Sequence, residues 1–294
     1  MLDRRSLQDQ LRRNRRDTGL ILMAMALLMS LAGWLLAGGS GVVAALAAAG
    51  LALAVNPHNS VAMLRALYRA VPLPVAAAPG LWRGHAELCR RAGLAAVPPL
   101  LIIPSRAILA LSTGWGRHCA VALSEGALAL LPPDEVVAIL AHEIAHIRAG
   151  DLKLLRLADA AGHLTHTLVA ATLILLVFFW PDMMAANALP DLWVVGALVL
   201  APVGCDLLRL SLSRTREFAA DAGAAELCGS PEALISALTR LSRDHGTLSP
   251  LGWLRLVRTH PTTEERIVRL RNLAPPSFRL PEIVVLGGLP WLHR

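Results

Sequence analysis

The sequence has little charge and few cysteines, and both shortages restrict the class of protein. Only 17% of its 294 residues are charged and 55% are hydrophobic, with a mean hydropathy of +0.54. This composition is too apolar for a typical soluble enzyme of this size. The four cysteines form no Cys-x-x-Cys pair, which disfavours a disulfide framework and suits free thiols in a reducing compartment; they are Cys89, Cys119, Cys205 and Cys228.

Aromatic residues are also scarce, at 4% of the chain, although the formal net charge is +7. The arginines are not interleaved with aromatic residues, as a surface that stacks nucleic-acid bases would require. We therefore expect no nucleic-acid partner. A lipid bilayer explains the basic balance better, because basic residues collect beside membrane spans.

Four apolar runs, in which only Asp206 is charged, predict membrane spans. Residues 19–37 are long enough to cross most of a hydrocarbon core of about 30 Å. Residues 42–55 form a shorter run, and 162–180 and 192–208 form a second pair. A cleaved signal peptide is the alternative for the N-terminal region, but a long basic segment and a second apolar run disfavour it.

The distribution of basic residues predicts the orientation of these spans. Arginines precede the first run and basic residues flank the later ones, whereas the linkers 38–41 and 181–191 contain no lysine or arginine. The positive-inside rule then places both termini and the soluble segments in the cytoplasm. Within the third run, His163 and His166 are expected to face the interior of the helix bundle rather than bind a second metal.

The most informative motif is His142-Glu143-x-x-His146. On a helix, two histidines four residues apart share one face and can bind one zinc ion, and the glutamate beside the first can reach a water on the metal. Residues 132–135 (Pro-Pro-Asp-Glu) predict the start of such a helix and Gly150 predicts its end. The alternative is an ordinary amphipathic helix with two surface histidines.

A catalytic zinc site usually takes three protein ligands, so a third must come from elsewhere. Leu152 stands where a third metzincin histidine would be, six residues after His146. Glu217 and Asp221 are spaced i, i+4 on a predicted helical continuation of the fourth run, so that one carboxylate can bind metal and the other can orient a histidine. The spacing alone equally allows a solvated helix face.

The residues outside the apolar runs predict a small sheet and several helices. Leu100–Ile103 is a short apolar strand, and 107–111 and 119–123 flank a glycine-containing turn typical of a β-hairpin. Thr262-x-x-Glu265 matches a capping box and predicts a helix. The predicted fold class is α+β and mostly helical, an integral membrane protein with about four transmembrane helices and a small antiparallel sheet.

Three blocks of sequence together resemble one family. His142-Glu143-Ile-Ala-His146 with Asp151 nearby, Arg216-Glu217-Phe-Ala-Ala-Asp221, and Thr259-His260-Pro261-Thr262 match in order and location the HtpX-type membrane zinc metalloproteases, relatives of the CAAX-prenyl endopeptidases. The resemblance covers roughly residues 15–273. It implies a gluzincin-like zinc metalloprotease domain with one Zn²⁺ per chain.

The resemblance also implies roles for individual residues. The metal ligands would be His142, His146 and Glu217, and Glu143 would be the catalytic base. Asp221 and Asp151 would hold the ligand histidines, although Asp151 is equally suited to cap the helix that follows Gly150. His260 is the first candidate to stabilise the oxyanion and Arg266 the second; the alternative for His260 is a helix-entry residue before Pro261.

The segment that receives the substrate departs from the family pattern. The family usually carries Asn-Ala-Phe-Ala before the hairpin turn, whereas this chain has Arg106-Ala107-Ile108-Leu109-Ala110. We expect Ala107, Ile108 and Leu109 to form the edge strand that pairs with substrate, because such pairing uses backbone groups.

The expected function is that of a zinc-dependent endopeptidase acting on membrane or misfolded proteins at the cytoplasmic face of the inner membrane, in protein quality control. The alternative is a catalytically inactive membrane scaffold of the same fold. The expected organisation is an N-terminal segment with the first hairpin (1–60), the first half of the catalytic domain (61–161), the second hairpin (162–208), the second half (209–275) and a tail (276–294).

Overall fold

The fold is mostly helical with one small sheet. The computed structural model describes residues 2–54, 60–114, 116–187, 189–244 and 261–273. The helices in these ranges are α1 (Arg4–Ala54), α2 (Ser60–Tyr68), α3 (Pro79–Arg91), α4 (Glu125–Leu130), α5 (Pro133–Ala149), α6 (Asp151–Phe178), α7 (Trp180–Ala185), α8 (Leu192–Cys228), α9 (Glu232–Asp244) and α10 (Thr263–Arg271). The strands are β1 (Val71–Pro72), β2 (Leu100–Ile103), β3 (Ala110–Thr113) and β4 (Ala120–Ser124).

Three helices, α1, α6 and α8, are long and apolar enough to cross a membrane. The first is interrupted at Gly38, which has a φ of +59° and a ψ of −142°. Gly33 and Gly41 then approach so closely that a side chain on either would collide with the carbonyl of the other. Met25 packs in one cluster with Ala49, whereas a straight helix would separate them by about 36 Å. Helix α1 is therefore a helical hairpin, as predicted.

The membrane helices pack through small side chains and turn large apolar ones outward. Ala158 and Ala161 of α6 are buried against Met25 of α1 and Leu212 of α8. The outer faces carry residues such as Phe178, whose exposed fraction is 75%. Apolar side chains of this kind are suited to contact with lipid, in which a polar surface would be unsatisfied.

The prediction that His163 and His166 face the interior is wrong. Both are exposed on α6, and Nε2 of His166 lies 3.1 Å from Oδ2 of Asp206 on α8. The inward positions of this stretch belong instead to Gly162 and Thr165, which are buried. Thr165 faces α8 there, with its Oγ1 3.4 Å from Sγ of Cys205.

The sheet is mixed rather than antiparallel, with the strand order β1-β2-β4-β3. Strands β2 and β4 pair in parallel, and β1 and β3 pair antiparallel with them at the two edges. Strand β4 occupies a central position because all five of its residues are buried, whereas β3 is only partly buried and suits an edge. The predicted hairpin exists as β3 and β4, but its first strand begins at Ala110 rather than at residue 107.

Helix α5 forms the centre of the soluble part. It starts at Pro133 and is followed by Gly150, whose φ of +68° lies in the left-handed region, as the sequence predicts. All its residues from Glu135 to Ile147 are buried. It packs closely on the last turns of α8, since a Cβ added to Gly223 would lie 2.9 Å from Cβ of Ala145. This contact joins the two soluble halves of the chain.

We expect Gly223→Val to force α5 and α8 apart, because overpacking a tight contact costs about 1–3 kcal/mol. The variant should unfold at a lower temperature than wild type, measured by thermal unfolding. Gly196→Val on the same helix is the matched control, since nothing lies within 4 Å of the added Cβ. Equal melting temperatures in the two variants would contradict this account.

Candidate metal centre

Two turns of α5 place the motif histidines side by side. His142 and His146 occupy one face of the helix, and both are buried. Their Nε2 atoms lie 3.1 Å apart, with the rings in an edge-to-face arrangement. The helical i, i+4 spacing therefore directs both Nε2 atoms at one point.

Glu217 of α8 completes a triangle of ligand atoms. Its Oε2 lies 3.6 Å from Nε2 of His142, and its Oε1 lies 3.8 Å from Nε2 of His146. Zinc–nitrogen and zinc–oxygen bonds of about 2.0–2.2 Å at tetrahedral angles give ligand separations of about 3.3–3.6 Å. The two Nε2 atoms and one carboxylate oxygen of Glu217 lie within 4.8 Å of one another, close enough to share one metal ion after small adjustments.

Two aspartates face the other ring nitrogens of the histidines. Oδ1 of Asp221 lies 3.1 Å from Nδ1 of His142, and Oδ2 of Asp151 lies 2.7 Å from Nδ1 of His146. Asp151 can accept the Nδ1–H of a neutral His146, which leaves the lone pair on Nε2. Asp221 lies at an ion-pair distance from Nδ1 of His142. The two Nε2 atoms and a carboxylate then face one another, and a cation relieves their mutual repulsion.

The same carboxylates set the protonation of His142. Burial lowers the pKa of His142, but the hydrogen-bonding carboxylates of Asp221 and Glu217 raise it, and the net pKa is about 10. The field at this point therefore favours positive charge. A divalent metal satisfies that preference in place of the proton.

Asp151 lies at the first helical position of α6, and its side chain makes no capping bond. The N-cap residue is Gly150, so the capping role does not apply. The buried carboxylate instead contacts His146 and forms an ion pair with the guanidinium of Arg216. The sequence assigns no role to Arg216, which appears there only as the first residue of the block that contains Glu217. Its position beside Glu217 is the one available signal, and its partner lies 65 residues away.

Arg266 of α10 holds the other aspartate. Its Nε and Nη2 donate to the two oxygens of Asp221 at 2.8 and 2.6 Å, and its Nη1 lies 3.4 Å from Oε2 of Glu217. This fork therefore holds the two carboxylates of α8 that face the histidines, those of Asp221 and Glu217. The predicted capping box on Thr262 and Glu265 is present and starts the helix that carries Arg266. His260 lies outside the described residues.

A cavity of about 560 Å³ opens beside the metal ligands. Glu143 lines it next to His142. One wall is the β3 side of the sheet, from Ile108 to Ser112, and apolar side chains form much of the remaining lining, including Leu152, Leu155, Leu234 and Leu238. The space therefore suits an extended chain with apolar side chains.

The edge strand on this wall is Ala110–Thr113, so the prediction for Ala107, Ile108 and Leu109 is corrected by a few residues. Ser124 explains the shift: its Oγ donates to the carbonyl of Ala107 and accepts from the N–H of Leu109. These side-chain bonds replace the strand ladder before Ala110. Ile108 and Leu109 still line the cavity, whereas Ala107 is not among its lining residues.

The pairing of β3 with β4 identifies its free backbone groups. The N–H of Ser124 donates to the carbonyl of Leu109, and the register pairs Leu111 with Ala122. Because hydrogen-bonded pairs alternate along an antiparallel ladder, Ala110 and Ser112 direct their N–H and C=O groups to the outer edge.

Comparison with known proteins gives a consistent result. Residues 81–274 match the model of peptidase family M48. The chain is 32% identical over 279 residues to a protein of Nostoc punctiforme described as "Protease HtpX homolog", covering 88% of this chain and 96% of that protein. A protein of Acaryochloris marina with the same description is 34% identical over 301 residues, covering 91% and 97%. One from a Sulfurovum species is 32% identical over 276 residues, covering 86% and 97%.

Replacing Asp151 by asparagine should weaken metal binding about 10- to 100-fold, because His146 loses the carboxylate that orients it and raises its basicity. The affinity for added Zn²⁺, used as the probe metal, would be measured by competition with a chromophoric chelator, with thermal unfolding as a check that the chain is folded. The control is Asp159→Asn on the same helix, whose carboxylate pairs with Arg209 away from the metal ligands. Unchanged affinity in folded Asp151→Asn protein would contradict the assignment.

Proposed function

Because the chain belongs to peptidase family M48 and has helices suited to a membrane, it is a membrane protease, and we propose that it is a zinc-dependent endopeptidase cutting membrane or misfolded proteins at the cytoplasmic face. The observation that carries the proposal is the convergence of His142, His146 and Glu217 on one point beside Glu143, in a cavity walled by a free strand edge. The rest of the proposal assigns a chemical role to each part.

His142, His146 and Glu217 would hold the metal. Zn²⁺ held there would supply a Lewis acid that polarises the scissile carbonyl and lowers the pKa of a water molecule towards about 7. Asp151 and Asp221 keep the imidazoles in the tautomer that presents Nε2. Arg216 and Arg266 in turn hold those aspartates, so the ligand positions are preorganised by pairs of buried charges.

Glu143 is the proposed general base. It follows His142 on α5 and lines the cavity, and its carboxylate would accept a proton from the attacking water and pass it to the leaving amine. The proposed donor to the oxyanion is His260, which directly precedes the buried Pro261 at the approach to α10. Arg266 is the second candidate, but its guanidinium is already bound to Asp221, which favours a positioning role.

The substrate would bind as an added strand on the edge of β3. The outward N–H and C=O groups of Ala110 and Ser112 can pair with an extended peptide irrespective of its side chains. The apolar wall opposite, which includes Leu234 and Leu238, would accept apolar side chains. Such a site suits chains that expose apolar segments, as misfolded membrane proteins do.

The cytoplasmic orientation is supported by charge. The segment before the first apolar run contains six arginines, and the linkers on the opposite ends of both hairpins lack lysine and arginine; the arginines are Arg4, Arg5, Arg12, Arg13, Arg15 and Arg16. Basic residues are retained on the cytoplasmic side of a membrane. Basic residues also lie at the ends of α6 and α8 that adjoin the site, Lys153 and Arg156 on α6 and Arg214 and Arg216 on α8. Their position would place the site in the cytoplasm of a cell, at its inner membrane.

The decisive experiment uses Glu143→Gln. It should bind one zinc per chain as wild type does, yet lose about 10²- to 10⁴-fold in peptide hydrolysis, since it removes only the base. Casein cleavage by the detergent-solubilised protein and metal analysis measure both properties, and a chelator should abolish the wild-type activity. Glu232→Gln, on the exposed first turn of α9, is the control. If wild-type protein binds zinc but cleaves nothing, the inactive-scaffold alternative is supported instead.

If the substrate binds as an added strand on the edge of β3, Ser112→Pro should lower kcat/KM for a peptide substrate at least about tenfold. Proline removes an N–H that points away from β4, so the sheet itself should survive. Ser112→Ala keeps the N–H and should retain wild-type kcat/KM. A loss as large in the alanine variant would show that the hydroxyl, and not the backbone, contacts the substrate.

A further inference from the structure

A second cavity, of about 590 Å³, lies on another face of α5, between that helix and α1, α6 and α8. It is separate from the peptidase cavity, with which it shares no lining residue. Its polar lining consists of Asn14, Arg15, Thr18, Arg148, Arg216 and Glu226, and the remainder is apolar. The proposed hydrolysis uses none of this space.

The charges of this cavity favour an anion. Of the three guanidinium groups that line it, Arg148 pairs with Glu226 at 2.7 Å and Arg216 pairs with Asp151, whereas Arg15 has no ion-pair partner among the residues that the structure describes. The lining and the carboxylates paired with it therefore carry a net charge of +1. Arg216 donates from Nε to Asp151, and its Nη1 lies 3.4 Å from Oγ1 of Thr18. A guanidinium has five N–H donors in all, so Arg216 retains donors for a further acceptor.

Asn14 gives an independent indication of a ligand. Its side chain is 4% exposed, and its Nδ2 has no hydrogen-bond partner among the residues that the structure describes. A buried amide N–H without an acceptor is destabilising and rare. An acceptor in the cavity, which Asn14 lines, would satisfy it.

The positions of Asn14 and Thr18 along α1 indicate the level, relative to the membrane, at which such a ligand would bind. Asn14 lies within the basic run from Arg12 to Arg16, and Thr18 follows that run. Directly after them come large exposed apolar side chains, Leu20 and Met23, at 51% and 56% exposure. A change from basic to apolar surface within two turns is typical of the level of lipid headgroups.

We propose that this cavity binds a phosphate group, carried either by an anionic phospholipid headgroup or by a soluble phosphate. The phosphate oxygens would accept from Nδ2 of Asn14 and from the guanidinium groups of Arg15 and Arg216. Arginine and amide donors are suited to phosphate oxygens. Because Arg216 also binds Asp151, which lies 2.7 Å from His146, the bound phosphate contacts a residue that supports the metal centre.

The test measures thermal unfolding of the full chain in a nonionic detergent at fixed ionic strength. Dihexanoyl phosphatidylglycerol, dihexanoyl phosphatidylcholine and inorganic phosphate are titrated separately. Phosphatidylglycerol or inorganic phosphate should raise the melting temperature of wild type, because ligands of the native state stabilise it. Stabilisation by phosphatidylglycerol alone identifies a lipid headgroup as the source, and equal stabilisation by inorganic phosphate identifies a soluble anion.

Substitutions of residues that line the cavity distinguish a specific phosphate site from general electrostatic attraction of anions to the basic segment of α1. Arg15→Gln and Asn14→Leu should each weaken the apparent affinity about tenfold. Asn14→Leu should not lower the melting temperature without ligand, because it removes an unpartnered amide. Arg13→Gln loses the same charge on the opposite side of α1 and should bind as wild type. The proposal is overturned by no stabilisation, by equal stabilisation from phosphatidylcholine, or by equal losses in Arg13→Gln and Arg15→Gln.

Discussion

The close contact between α5 and α8 is the constraint on which the metal centre depends. Helix α5 would supply two ligands and α8 the third, and the two helices can meet because Ala145 faces a glycine, Gly223, whose added Cβ would lie 2.9 Å from Cβ of Ala145. Larger side chains there would move Glu217 away from the imidazoles. Since α8 is one continuous helix from residue 192 to 228, the same rod that packs in the membrane bundle also positions the ligand. A metal held at this junction would link the two soluble halves that the second hairpin separates.

Charge balance explains why so many ionisable groups can be buried together. Asp151 is paired with Arg216 and Asp221 with Arg266, so each supporting carboxylate has its own guanidinium. Burial of an unpaired charge is strongly unfavourable, but a pair that is also hydrogen-bonded recovers much of that free energy. Glu217 shares the guanidinium of Arg266 with Asp221, so the four carboxylates of Asp151, Asp221, Glu217 and Glu143 face two guanidinium groups. A divalent cation held there would balance the remaining two negative charges.

Local sequence signals predicted individual helices and strands, but they could not predict which residues far apart in the sequence would contact each other. The helix from Pro133 to Gly150 follows from its own start and end signals, and its i, i+4 histidines follow from helical geometry. Glu217 stands 71 residues after His146, beyond a whole membrane hairpin, so spacing alone could not separate a ligand from a solvated face. Only the resemblance to a family identified it. The ion-pair partners of Arg216 and Arg266 are harder still to predict from neighbouring residues, because they depend on how α6, α8 and α10 pack together.

Local sequence signals also failed to predict how the strands of the sheet pair and where one of them begins. A turn between two apolar stretches predicts a hairpin, and the hairpin exists, but nothing local shows that β4 will pair in parallel with β2. The error at Ala107 has a specific cause, since one hydroxyl, that of Ser124, takes the hydrogen bonds that a strand would use. A side-chain bond of that kind becomes visible only once the partner strand is in place.

The height of the metal centre above the bundle limits which bonds the proposed peptidase could cut. Arg209 of α8 and Asp159 of α6 form an ion pair at 2.9 Å, and from this level both helices run toward the site. Glu217 and Asp151 each lie eight residues further along their helices, a distance of about 12 Å by helical rise. An extended chain advances about 3.3 Å per residue, so roughly four residues must leave the level of that ion pair before a peptide bond reaches the metal. The proposed substrates are accordingly loops and tails that emerge from the membrane, and segments still within the apolar layer would be out of reach.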